Sequence, residues 1–166
     1  MQDWLKYIGL TLLVLFLQVM LVDNLHLFGV CHPYIYLWVL LLLPVDIPRW
    51  LQMVIGAAIG GLLDLFAHTP GIHMAACILF SYLRPLMLMG IVQDAERLKG
   101  GVTVETIGPD NYIRLLALLI VTHHALLFLL EAFTLAHFGW LLLQILVSSL
   151  CSFLLILLFE YVRKSA

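Results

Sequence analysis

The sequence predicts an all-α integral membrane protein, a compact bundle of six transmembrane helices with a short second one. Three observations predict it. The first is composition: 64% of the 166 residues are hydrophobic, 11% are charged, and mean hydropathy is +1.10. An ordinary soluble domain is about 45–50% apolar and about 25% charged. One small domain cannot hide this much apolar surface from water, which excludes a soluble globule and a disordered segment. The composition also argues against a membrane β-barrel, whose strands alternate polar and apolar residues. The second is length: a spanning helix needs roughly 20 residues, so eight would consume the chain and four would leave apolar runs unassigned. The third is the placement of the eight Lys and Arg residues. With six spans, Lys6, Arg49, Arg97, Lys99, Arg114, Arg163 and Lys164 all fall on one side, and Arg84 lies in the half of the fourth helix nearer to it. Basic residues favour the cytoplasmic side, so both termini are expected there. Five spans would put one terminus on the wrong side.

The first apolar run covers about Leu5 to Val22. No small-residue cleavage site follows it, so it reads as a retained signal anchor. The second, Tyr34 to Leu43, is bounded by Pro33 and Pro44 and is short enough to be tilted or re-entrant. Pro48 closes the loop before the third run, Trp50 to Phe66. Pro70 and Gly71 then turn the chain into a fourth run, which starts at Ile72 and reaches Tyr82 or Val92. Pro85 lies between those two limits; lacking an N–H, it is expected to bend or end the helix. The loop Gln93 to Asn111 is too short to be a domain. The fifth run is Tyr112 to Ala136 and the sixth Trp140 to Val162, joined by His137, Phe138 and Gly139 as a tight antiparallel hairpin.

Asp64 is the sharpest single signal, since a carboxylate at the centre of a membrane span costs roughly 2.5–3.5 kcal/mol on insertion scales. It reads either as a functional polar contact or as an interfacial carboxylate that meets water or helix N–H groups. In the first reading Asp64→Asn is expected to preserve the fold and to weaken a partner contact. Gly56, Gly60 and Gly61 precede it. The Gly56–Gly60 spacing lets a second backbone approach closely, and packing within the chain is the expected use. Glu131 lies at a depth similar to Asp64. Arg84 is either a snorkelling guanidinium or half of a buried ion pair. Glu160 is expected to be solvated.

There are seven histidines. His26, His32, His68, His73 and His137 cluster toward the outer side without metal-ligand spacing, since Pro70 and Gly71 interrupt the one near-fit, His68 and His73. His123 and His124 are adjacent on a helix and point about 100° apart, so they cannot chelate one ion together. One of them is expected to bond inside the bundle. The three cysteines are scattered, and no metal site is expected. Ser148, Ser149 and Ser152 have no GxSxG context. No cofactor-binding motif appears, an enzyme is not expected, and a net charge of −2 gives no case for nucleic acid.

Read together, LLLPVDIPRW, GAAIGGLLDLF and HTPGIHMAACILFSYLRP resemble the MreD family of rod shape-determining membrane proteins. The resemblance rests mainly on Leu41 to Pro85. It comprises a proline-flanked loop at Pro44 and Pro48, a glycine-rich helix (Gly56, Gly60) ending in Asp64, a turn at Pro70 and Gly71, and a later Arg84. LRP, His123–His124 and Glu131 resemble versions from Bacteroidetes-like bacteria. The resemblance implies a non-enzymatic scaffold that binds a bitopic MreC-like protein. It also implies membership of the machinery that couples MreB filaments to a RodA-type glycosyltransferase and a class B penicillin-binding protein. A second reading is a solute-binding membrane component, since the substrate-capture subunits of energy-coupling-factor transporters are also small six-helix proteins. In that reading Asp64, His68, His73 and Glu131 would line a pocket open to the outside.

Overall fold

A computed structural model describes residues 2–22, 30–133 and 137–165, with the side chains of residues 2 and 3 left out. The expectation for His26 lies outside the described residues. Helix α1 is Gln2–Leu17 and continues as a π-helical turn, Gln18–Val22. Short α2 is Leu37–Leu41, α3 is Arg49–Ala67 and α4 is Ile72–Ile91. After a 3₁₀ turn at Ala95–Arg97 come the four-residue α5, Val104–Ile107, then α6, Pro109–Ala132, and α7, Phe138–Ser165. No strand occurs among the described residues; an isolated bridge pairs Pro44 with Gly101.

Five helices are long and apolar enough to cross a membrane: α1 with its π turn, α3, α4, α6 and α7. The second expected span is the departure. Only five of its residues are helical, yet Tyr34 through Leu41 and Leu43 are all buried. It runs beside α7: the backbone N–H groups of His32 and Tyr34 donate to Ser148 and Ser152 Oγ, and the Trp38 indole donates to Glu160. Ser148 to Glu160 is twelve residues of α-helix, about 18 Å. The segment follows it with a non-helical stretch at residues 32–34, a turn in which Trp38 N donates to Ile35 O and Val39 N to Tyr36 O, and then α2, and the long Trp38 and Glu160 side chains cover part of the distance. Pro33 is the local cause of the non-helical stretch, because proline offers no N–H and biases the preceding residue toward extended geometry.

A segment that is only partly helical inside an apolar bundle must find partners for its remaining backbone polar groups, because each orphan costs several kcal/mol in a lipid-like setting. Side chains supply those partners. The Gln18 amide donates to Pro33 O at 3.1 Å and accepts from Ile35 N at 2.8 Å. Ser148 and Ser152 accept as described, at 2.9 and 2.8 Å. The Tyr7 hydroxyl donates to Val39 O at 2.7 Å. Arg84 takes the carbonyls that end α2. Below it, Val45 N–H donates to Gly100 O, and Gly101 comes so near that a Cβ would stand 2.6 Å from Leu42 O. The Gln93–Asn111 loop is thus fastened to the start of the α3 hairpin.

The α3–α4 hairpin packs on its glycines. A Cβ at Gly56 would lie 2.4 Å from Ser81 Oγ and 2.8 Å from Cys77 O. One at Gly60 would lie 2.6 Å from both His73 O and Met74 Cα. Gly61 meets only the Met74 sulfur, at 3.9 Å. The expected close packing within the chain is therefore found, and it uses Gly56 and Gly60. Helix α4 does not end at Pro85 but runs through it to Ile91. Residues exposed on the outside of the bundle are apolar, among them Leu12 and Phe16 of α1, Leu65 of α3 and the α7 row Leu146, Leu150, Leu154 and Leu158.

Candidate functional site

The polar residues singled out by sequence form two internal clusters and one cavity. The first cluster is the α3–α4 turn. Asp64 is 7% exposed and its carboxylate is surrounded by donors. Oδ1 accepts from Thr69 Oγ1 at 3.0 Å and His73 N at 2.9 Å, and Oδ2 accepts from Gly71 N and Met74 N at 3.0 Å each. The carboxylate therefore caps the N-terminus of α4, where exposed N–H groups and the helix dipole both favour a negative charge. Pro70 and Gly71 make this possible: Gly71 takes φ +88°, a left-handed conformation suited to glycine, and brings the chain back within reach. His73 Nδ1 stands 3.2 Å from Asp64 Oδ1 and 3.0 Å from Thr69 Oγ1. A nitrogen between two oxygens, one of them a carboxylate, carries the proton, so in the neutral ring the acceptor is Nε2.

The second cluster centres on Arg84, which is fully buried. It neither snorkels nor pairs with a carboxylate. Its Nε and Nη2 donate to Leu41 O at 3.2 and 2.9 Å, Nη2 also donates to Leu43 O, and Nη1 donates to Gln52 Oε1 at 2.9 Å. Gln52 in turn donates to Ile47 O. A rigid planar fork suits these carbonyls in a way an ammonium would not. A cation at the C-terminal end of α2 also complements the partial negative charge there.

Between them lies an aromatic layer. His124 Nδ1 stands 2.9 Å from Ile120 O and so carries the proton; its Nε2 then accepts from Ser152 Oγ at 3.1 Å, while Ser152 accepts from Tyr34 N. Tyr36 OH meets His123 Nε2 at 3.0 Å. Both histidines of the pair therefore bond inside the bundle. The Tyr34 ring packs 5.2 Å from His124 and stands nearly perpendicular to His73 at 5.5 Å.

Glu160 is buried rather than solvated. It accepts from the Trp38 indole at 3.0 Å, from Val104 N at 3.1 Å and from Arg163. Arg163 also bonds Glu105, which holds the Glu105 carboxyl below the usual glutamate range. Sequence reasoning did not single out Gln18, Tyr7, Gly101 or the roles of Ser148 and Ser152. The available signal was a short Pro-bounded run whose non-helical backbone needed polar partners from other helices.

A cavity of about 350 Å³ opens at the end of the bundle that holds the α3–α4 turn. Its polar lining includes His32, Tyr34, Thr69, His73 and Glu131. Of the four residues expected around a pocket, His73 and Glu131 reach it. Asp64 lies behind them, engaged by the turn, and His68 does not line it. Asp64 and Glu131 do not form a shared cation site, because both Asp64 oxygens are committed to the α4 terminus while Glu131 is exposed. Comparisons with protein-family models, curated proteins and solved structures return no match.

Proposed function

We propose that this chain is a non-enzymatic membrane scaffold of the bacterial cell-elongation machinery. In this reading it sits in the inner membrane with both termini cytoplasmic. It binds an MreC-like bitopic protein, and it links MreB filaments to peptidoglycan synthesis by a RodA-type glycosyltransferase and a class B penicillin-binding protein. The observation that carries the proposal is how the residues of the MreD-like block are spent. Gly56 and Gly60 lock α3 to α4, Asp64 ties off their turn, and Arg84 with Gln52 fastens the segment around Pro44 to the same pair. The block that carries the resemblance is one stiff frame, as a scaffold needs.

The topology is supported by the buried 31–43 segment, which lies beside α7 and offers a candidate for the sixth pass that the basic residues require. A surface for a partner span is supported by an apolar seam between α1 and α3. It holds two grooves of about 260 and 320 Å³ that share Leu12, Leu15 and Leu62. A cysteine at Leu62 is expected to crosslink to the transmembrane helix of the co-expressed MreC-like protein, and a cysteine at Leu158 on α7 is not. Absence of a Leu62 adduct, together with normal rod shape in cells lacking the chain, overturns the proposal. The solute-carrier reading is favoured by the cavity at the turn end. Loss of uptake of a small solute, with cell shape intact, would put that reading in its place.

A further inference from the structure

The cavity at the turn end has a polarity of its own, and the scaffold proposal does not use it. Val19, Phe66, Ile72 and Leu127 give it an apolar wall, while polar groups make up the larger part of its lining. Its volume, about 350 Å³, is at the small end of the range of small-molecule sites. What distinguishes it is the sign of its polar groups. Glu131 stands at the lining, exposed, with no ion-pair partner among the described residues. His73 is 7% exposed and lines the cavity. Its Nδ1 proton is held by Asp64 and Thr69, and its Nε2 makes no hydrogen bond among the described residues. This leaves a lone pair on a nearly buried ring that belongs to the cavity wall. The Tyr34 ring adds an aromatic surface of the kind that attracts cations. None of the eight Lys and Arg residues lies at this end of the chain's fold, so no resident cation neutralises the site.

We infer that this cavity binds a small organic cation, a primary ammonium or guanidinium group on an apolar body. Glu131 would meet the charge, His73 Nε2 would accept one of its N–H groups, and Phe66 and Leu127 would cover the body. An anion would face the Glu131 carboxylate. A neutral alcohol would gain only one hydrogen bond. The site would thus select by charge first and by apolar fit second.

The test uses the full chain in nanodiscs of zwitterionic lipid, with benzylammonium as probe and benzoate and benzyl alcohol as near-isosteric controls. Binding is read by calorimetry and by the rise in unfolding temperature. Benzylammonium is expected to bind with millimolar or tighter Kd and to raise the unfolding temperature with concentration, while both controls fail to do so. Glu131→Gln, on an exposed residue, is expected to leave the unliganded unfolding temperature unchanged and to weaken benzylammonium at least about tenfold, as loss of a charge-assisted hydrogen bond should. Glu131→Lys is expected to abolish binding. Equal binding of all three probes, preference for benzoate, no binding of benzylammonium, or undiminished binding by Glu131→Gln would each overturn the inference.

Discussion

Asp64 shows how a residue's surroundings revise what its identity suggests. In sequence it is a carboxylate in an apolar helix, open either to a partner or to water and helix N–H groups. In the structure both oxygens are engaged by donors of the chain itself, and each faces at least one backbone N–H. Asparagine cannot satisfy that arrangement in either orientation of its amide, because one side then presents NH₂ to an N–H. The expectation that Asp64→Asn preserves the fold is therefore replaced: the substitution should destabilise by about 1–3 kcal/mol, the cost of leaving buried donors unpaired. Reversible unfolding in detergent would measure it, and a wild-type value would refute the capping role. Arg84 gives the same lesson from the other sign. Sequence offered it water or an acid, and the fold gives it main-chain carbonyls, because a short helix must end inside the bundle with its carbonyls pointing somewhere. For Asp64 one of the two sequence readings, helix N–H groups at the turn, is the one found; for Arg84 the outcome was not legible locally, since it depends on a helix end supplied by another segment.

At the scale of elements, the sequence was most readable where periodicity and punctuation agreed. The third run, expected at Trp50 to Phe66, is Arg49–Ala67, and the turn at Pro70–Gly71 lies where those residue types require it. The fourth run was ambiguous because Pro85 falls inside it. The helix survives there because its surroundings, not its propensity, decide: Pro85 is buried against neighbours that hold both halves in line. The second run, expected to be short, holds only the five-residue helix Leu37–Leu41. Its residues are as apolar as those of a longer helix, and hydropathy does not reveal where a buried segment leaves helical geometry and takes polar partners from other helices. The glycines allow a sharp comparison of two neighbours. Gly60→Ala should prevent normal assembly of the α3–α4 hairpin, because the methyl would meet the backbone of His73 and Met74, which cannot move aside as a side chain can. Gly61→Ala should be neutral, since Met74 sulfur at 3.9 Å is ordinary contact. Purified yield and unfolding temperature of the two variants would decide. Equal behaviour would mean that the hairpin is looser than described.

For the molecule as a whole, the arrangement makes a statement about sidedness. Five helices are long and apolar enough to cross a membrane, and the proposed topology adds the buried 31–43 segment as a sixth pass. On that proposal a cytoplasm-active reporter fused at the C-terminus should be active, and one inserted in the 67–71 turn inactive. A silent C-terminal fusion would exclude the six-pass arrangement. The buried 31–43 segment also bears on how the chain is made. Its partners come from opposite ends of the sequence: Gln18 from the first helix, Ser148, Ser152 and Glu160 from the last. While α7 is still unsynthesised, the N–H groups of His32 and Tyr34 lack their serines, and lipid offers no substitute. The early part of the chain therefore waits, incompletely satisfied, for the final helix to arrive. Completion of synthesis is thereby coupled to completion of the fold.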